Sequence, residues 1–144
     1  MRESKQEIES NHKAVDLFRI VLDIEKYPLY IPWCSNIEIL AKKKNIIKAN
    51  MIVDYKFFPS QKFTSNVVFN LEEMSIITTY VEDPLKDLET IWEFKNLKKN
   101  KSKILFKVKF EFKNFFHQKI AELFFPLVES KMIKSFIERA DQTL

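Results

Sequence analysis

From residue 36 to residue 112 the apolar positions of this chain recur every second residue, the period of a β-strand with one buried and one wet face. Ile37 and Ile39 begin the pattern. Ile47, Ala49, Met51, Val53, Tyr55 and Phe57 share one face of the next strand, with Lys48, Asn50 and Asp54 on the other. After a turn near Pro59, the set Phe63, Ser65, Val67, Phe69 and Leu71 repeats it. The run Ser75 to Val81 is β-branched and aromatic without choosing a face. Leu88, Thr90, Trp92 and Phe94 then stand opposite Asp87, Glu89, Glu93 and Lys95. Ile104, Phe106, Val108, Phe110 and Phe112 stand opposite Lys107, Lys109 and Glu111, across a polar hairpin turn from Lys98 to Lys103. Such alternation predicts an antiparallel sheet with its apolar face toward a core.

Both flanks read differently. The first eight or so residues form a weak strand. Asn11 is a candidate helix cap, after which Ala14, Val15, Leu17, Phe18, Val21, Leu22 and Ile24 recur at helical spacing. A short helical turn around Lys26 to Tyr30 precedes Pro32, which ends it. At the far end Phe116, Ile120, Leu123, Phe124, Leu127, Val128, Met132, Phe136 and Ala140 form a broad apolar stripe on a helix of some seven turns. Pro126 lies inside that helix and predicts a kink near Glu122. The economical assembly is an α+β helix-grip fold. A curved antiparallel sheet wraps its apolar face around the long C-terminal helix, the short helices close one end, and residues 1–144 form one domain. Incomplete contact between helix and sheet leaves a hydrophobic cavity.

Composition narrows the chemistry. The 144 residues contain no Gly, which excludes dinucleotide fingerprints, phosphate-cradling loops and glycine-flanked nucleophile elbows. Fourteen Phe, four Tyr and two Trp imply a crowded core or an aromatic cavity. A single Cys forms no internal disulfide and points to a reducing compartment. His12 and His117 stand in no metal-ligand spacing. Met1 to Lys13 alternates in charge without an apolar block, unlike a secretory signal or presequence, and no apolar run approaches the twenty residues of a membrane span. The net charge is +4, but only Arg2, Arg19 and Arg139 among the 24 basic residues are arginine. That argues against DNA, since base reading leans on Arg.

Residues Tyr27 to Leu40, reading YPLYIPWCSNIEIL, resemble the signature of the coenzyme Q-binding START-like family, whose bacterial members include ribosome-association toxin (RatA-like) proteins. Leu88-Glu89-Thr90-Ile91-Trp92-Glu93-Phe94 resembles a second block of that family, Phe110-Glu111-Phe112 a third, and Leu123-Phe124-Phe125 with Met132, Phe136 and Arg139 its final helix. The chain departs from the family in using Asn, Lys or Asp where glycines commonly form the turns, and in carrying Pro126.

The resemblance implies a non-enzymatic protein that holds ubiquinone or a related isoprenoid lipid as bound ligand, with no other cofactor, and supports respiration. A cytoplasmic location follows, with peripheral contact at the anionic inner membrane. The alternative it implies is inhibition of ribosome association by binding the large ribosomal subunit. A third, an aromatase or cyclase as in some helix-grip relatives, needs polar groups inside a cavity whose inward positions read as apolar. Candidate wall residues are Trp33, Phe69, Tyr80, Thr90, Trp92, Phe106, Phe110 and Leu127, with Tyr80, Trp92 and Thr90 as hydrogen-bond donors. Cys34 reads as packing. The acidic pairs Glu72-Glu73 and Glu82-Asp83 read as solvated, and so does His117. Lys98, Lys99, Lys101, Lys103, Lys107 and Lys109 offer a basic surface to lipid headgroups or ribosomal RNA.

Overall fold

A computed structural model describes residues 2–54, 60–80 and 85–144. Tyr55, Phe57, the turn near Pro59, Val81 and the pair Glu82-Asp83 lie outside the described residues. Seven strands, β1 (Arg2–Ser10), β2 (Cys34–Lys43), β3 (Ile46–Val53), β4 (Gln61–Asn70), β5 (Ser75–Tyr80), β6 (Leu85–Lys98) and β7 (Lys101–Phe112), form one antiparallel sheet. Its order is β1-β7-β6-β5-β4-β3-β2. Neighbours in sequence are neighbours in the sheet except at β1, which pairs with β7 in the register Arg2↔Phe110 to Ser10↔Ser102. Period two sorts the faces as the pattern predicts. The β5 run that chose no face in sequence points Ile76 and Thr78 inward, both buried. Register shifts in β2 and β6 bend the strands, as bulges do, and curve the sheet.

Two helices and a 3-10 segment close the concave face. Helix α1 (Ala14–Leu22) buries Ala14, Leu17, Phe18 and Val21, the i, i+3, i+4, i+7 stripe of an amphipathic helix. Asn11 does not cap it. Lys13 occupies the cap position without a side-chain bond, and the free N–H of Ala14 donates instead to Asn96 Oδ1 of β6, at 3.1 Å. The 3-10 segment Ile24–Leu29 follows, closed by Tyr30 and Ile31 N–H groups donating to the Tyr27 carbonyl. Helix α2 (Phe115–Thr143) is capped by Asn114, whose side chain accepts from Phe116 and His117 N–H. It runs through Pro126 as one helix. Among the described residues no helix is long and apolar enough to cross a membrane.

The turns show how a glycine-free chain reverses direction. Lys44, Met74 and Asn100 adopt positive φ of 53°, 51° and 59°, the left-handed region where a Cβ is unfavourable. Lys and Asn are the expected substitutes for glycine; Met74, rather than an Asp, is the third. The β6–β7 turn is also tighter than the Lys98 to Lys103 stretch expected, because both strands extend until only Lys99 and Asn100 remain between them.

Candidate ligand cavity

Between the sheet and α2 lies a partly open cavity of about 270 Å³. Its floor comes from the inward positions of β2 to β7, including Ile37, Ala49, Val67, Thr78, Leu88 and Val108. Its roof is Phe125, Val128, Glu129, Met132 and Phe136 of α2, and Tyr27, Ile31 and Trp33 close one end. The two layers are held by rings. Trp92 lies 4.4 Å from Phe106 and 5.2 Å from Phe136, and stacks parallel to Phe94 at 6.0 Å. The start of the Tyr27 to Leu40 block meets the final helix here: Tyr27 and Tyr30 sit edge-on to Phe136 at 5.3 and 5.6 Å, and the Arg139 guanidinium lies over the Tyr30 ring at 5.2 Å.

Five of the eight expected wall residues, Trp33, Tyr80, Thr90, Trp92 and Phe106, line this cavity. Three do not. Phe110 faces inward and is buried, but its ring lies 4.7 Å from Phe125, so helix and sheet already touch there and leave no space. Phe69 faces inward at the far end of β4, where it packs against the core beyond the cavity. Leu127 is 51% exposed. At 100° per residue it stands about 180° around the helix from Phe136. The single broad stripe read from the sequence is therefore two stripes. Phe125, Val128, Met132, Ile133, Phe136 and Ala140 pack inward, while Phe116, Leu123 and Leu127 face solvent.

Among the described residues the wall is uncharged except at one point. Burial pushes the Tyr80 phenol up to about 12, with Cys34 adding to it. It holds Tyr27 well above the ordinary phenol value, helped by the groups that turn negative around it, Tyr30, Tyr80, Cys34 and Asp23. Burial also raises Tyr30, against the opposing pull of Arg139. Each remains a neutral hydroxyl at neutral pH. Tyr27 spends its proton on the Val21 carbonyl, and Ser65 donates to the Ala49 carbonyl at 3.4 Å. Cys34 is buried and raised to about 11 by desolvation, against a weaker lowering by its backbone bond with Asn36. At neutral pH it stays protonated, the less reactive form of a cysteine.

The exception is Glu129, a residue the sequence reading missed. It is 3% exposed and lines the cavity from α2. Its Oε1 accepts from Ser4 Oγ at 3.0 Å and from Gln6 Nε2, both on the inward face of β1. Its Oε2 is buried with no hydrogen-bond partner among the described residues. The signal was available in helical spacing: Glu129 is four residues after Phe125, three before Met132 and seven before Phe136, on the inward stripe itself.

The Lys-rich face is partly neutralised. Lys103 and Lys109 pair with Glu7 and Glu3 of β1 at 3.3 and 3.4 Å. The basic surface is narrower than six lysines in sequence suggest.

A curved antiparallel sheet gripping a long C-terminal helix over an apolar hollow defines the helix-grip fold of START-like proteins. The family described as polyketide cyclase / dehydrase and lipid transport matches residues 10–137, and the chain belongs to it. The ribosome association toxin RatA of Pseudomonas aeruginosa is 29% identical over 131 residues, covering 91% of this chain and 90% of that protein. The mitochondrial coenzyme Q-binding protein COQ10 homolog B of Xenopus laevis is 26% identical over 127 residues, covering 86% of this chain and 52% of that protein. The Zhui aromatase/cyclase from Streptomyces sp. R1128 superposes with a TM-score of 0.89 at 12% identity, over 98% of this chain and 94% of that one. That last likeness is one of fold. The two relatives are named as a toxin and a binding protein rather than for a reaction.

Proposed function

We propose that this protein is a non-enzymatic carrier that holds ubiquinone or a related isoprenoid quinone in the cavity between the sheet and α2, and so supports respiratory membranes. The observation that carries this reading is the partly open hollow of about 270 Å³ with a mostly apolar wall. Each isoprenoid unit moved from water to such a wall gains about 3–4 kcal/mol, at roughly 0.8 kcal/mol for each of five carbons. The volume falls just below the range of about 300–1,000 Å³ usual for ligand pockets. It suits a ring with the first part of its tail, the remainder passing out through the opening. The solvent-facing Phe115, Phe116, Leu123 and Leu127 offer an apolar surface for that exchange at a bilayer. Trp33 and Trp92 in the wall make the test direct. Ubiquinone-1 added to delipidated protein quenches their fluorescence saturably, and organic extraction of freshly purified protein releases a quinone detectable by mass spectrometry. No quenching together with quinone-free extracts would refute the reading.

A second reading is supported by the toxin relatives: binding to the large ribosomal subunit through the exposed lysines of the β6–β7 hairpin. Sedimentation of ribosomal subunits with added protein tests it. Unchanged 70S levels at protein in excess over ribosomes would remove it.

A further inference from the structure

We infer that Ser65, Thr78, Tyr80 and Thr90 form a hydroxyl seat on the cavity floor for the ring oxygens of the cargo, so that the site selects oxygen-rich head groups over alkyl-substituted ones. The inference rests on the proposed quinone cargo and adds the head-group chemistry that the cavity prefers.

Strand register brings the seat together. Ser65 stands opposite Tyr80 across β4 and β5, and Thr78 opposite Thr90 across β5 and β6. Thr78 and Tyr80 are two apart on β5 and so share its inward face. Directly opposed side chains in such a ladder lie about 4.5–5.5 Å apart at Cβ, so these residues are contiguous, and all of them line the cavity. Val67, Leu88 and Val108 continue the same two rows and border the seat with apolar surface.

Ser65 spends its proton on the Ala49 carbonyl. The hydroxyls of Thr78, Tyr80 and Thr90 bond to no other described residue. Among the described residues the buried polar atoms sealed away without a partner are Arg2 Nε, Ser102 Oγ, Gln118 Nε2 and Glu129 Oε2. The hydroxyls of Thr78, Tyr80 and Thr90 are not of that kind, so their oxygens meet the open space of the cavity. A hydroxyl on an apolar wall needs a partner to replace the hydrogen bonds it makes in water. Water serves that need in an empty cavity, and a ligand that displaces it has to bring its own acceptors. Valine has the shape of threonine and would suit an apolar wall better, so the paired Thr78 and Thr90 mark a place where something polar binds. The Tyr80 phenol keeps its proton and presents a further donor. A ring with methoxy as well as carbonyl oxygens meets these donors. A ring with alkyl groups in place of methoxy leaves some of them unmet.

Decylubiquinone and decylplastoquinone test this, because they carry the same tail and differ at the ring chiefly in two methoxy groups against two methyls. Quenching of tryptophan fluorescence in delipidated protein gives both affinities. The wild-type protein is expected to bind decylubiquinone about three- to tenfold more tightly, the range of one added hydrogen bond. Thr78→Val combined with Thr90→Val keeps the shape of both side chains and is expected to bring that ratio close to one. A hollow with no such seat favours the methyl-bearing ring, the more apolar of the two. Equal binding by the wild-type protein, or tighter binding of decylplastoquinone, therefore overturns the inference and leaves quinone carriage standing. A folded double variant that keeps the wild-type ratio overturns it in the same way. Binding of neither quinone overturns both. The wild-type ratio decides the matter even if the variant fails to fold.

Discussion

Ala49 sits on the inward face of β3, 1% exposed, in register with Ser65 and facing the hollow under α2. Replacing it with Leu adds three carbons. In an interior already packed, that insertion forces neighbours off their rotamers and costs about 1–3 kcal/mol. In the hollow described here the same carbons meet unfilled space. Full burial would be worth about 2.4 kcal/mol at roughly 0.8 kcal/mol per carbon. Because the cavity is partly open, about 1–2 kcal/mol of that is expected. Urea denaturation of delipidated Ala49→Leu should therefore show increased stability, with the melting temperature rising by about 2–4 °C for each kcal/mol. The filled space is lost to cargo, so quinone affinity should fall in the same protein. The opposite signs are the diagnostic. A variant that is destabilised by 1 kcal/mol or more, with its urea m-value unchanged, would mean that no usable hollow lies beside Ala49.

Two further outcomes follow from single residues. The buried Cys34 thiol titrates near 11 rather than at its ordinary 9.0. Its contribution to stability is constant below about pH 9, where folded and unfolded thiols are both protonated. It is lost as pH rises toward 11, at up to about 1.4 kcal/mol per unit. Cys34→Ala should flatten the stability profile between pH 9 and 10, below the ordinary tyrosine range; an unchanged slope there would count against the assignment. Lys44 holds a left-handed backbone at φ 53°, which costs an L-residue about 1–2 kcal/mol. Lys44→Gly relieves that and gives back about 0.5–1 kcal/mol to the unfolded chain's freedom, so equilibrium unfolding should report a net gain near 0.5–1 kcal/mol.

Much of this architecture was legible in the residues because its causes are local. Period two placed Ile104, Phe106, Val108 and Phe110 on one buried face, and the block from Tyr27 to Leu40 carried the family likeness. The failures share a cause as well. Alternation tells which face a side chain takes but not how far along the strand the helix lies, so Phe69 and Phe110 were assigned to a space that ends before reaching them. A helical stripe drawn from hydrophobicity alone merges two opposite faces of α2 and places Leu127 inside. Glu129 was passed over because a carboxylate is normally taken as solvated; its partners, Ser4 and Gln6, lie more than 120 residues away in sequence. Asn11 lost its capping role to Asn96 for the same reason, a contact that only the folded chain brings together.

The pairing of β1 with β7, and the grip of Glu129 on Ser4 and Gln6, have a consequence for synthesis. Ser10 waits for Ser102, and Arg2 for Phe110, so the opening segment leaves the ribosome long before either of its seats exists. Contacts of such separation slow folding, and a chain stalled anywhere in the middle would trail an unpaired strand whose one apolar residue is Ile8. Its polar composition lets nascent β1 wait in water until β7 has been made, and its docking there completes one edge of the sheet.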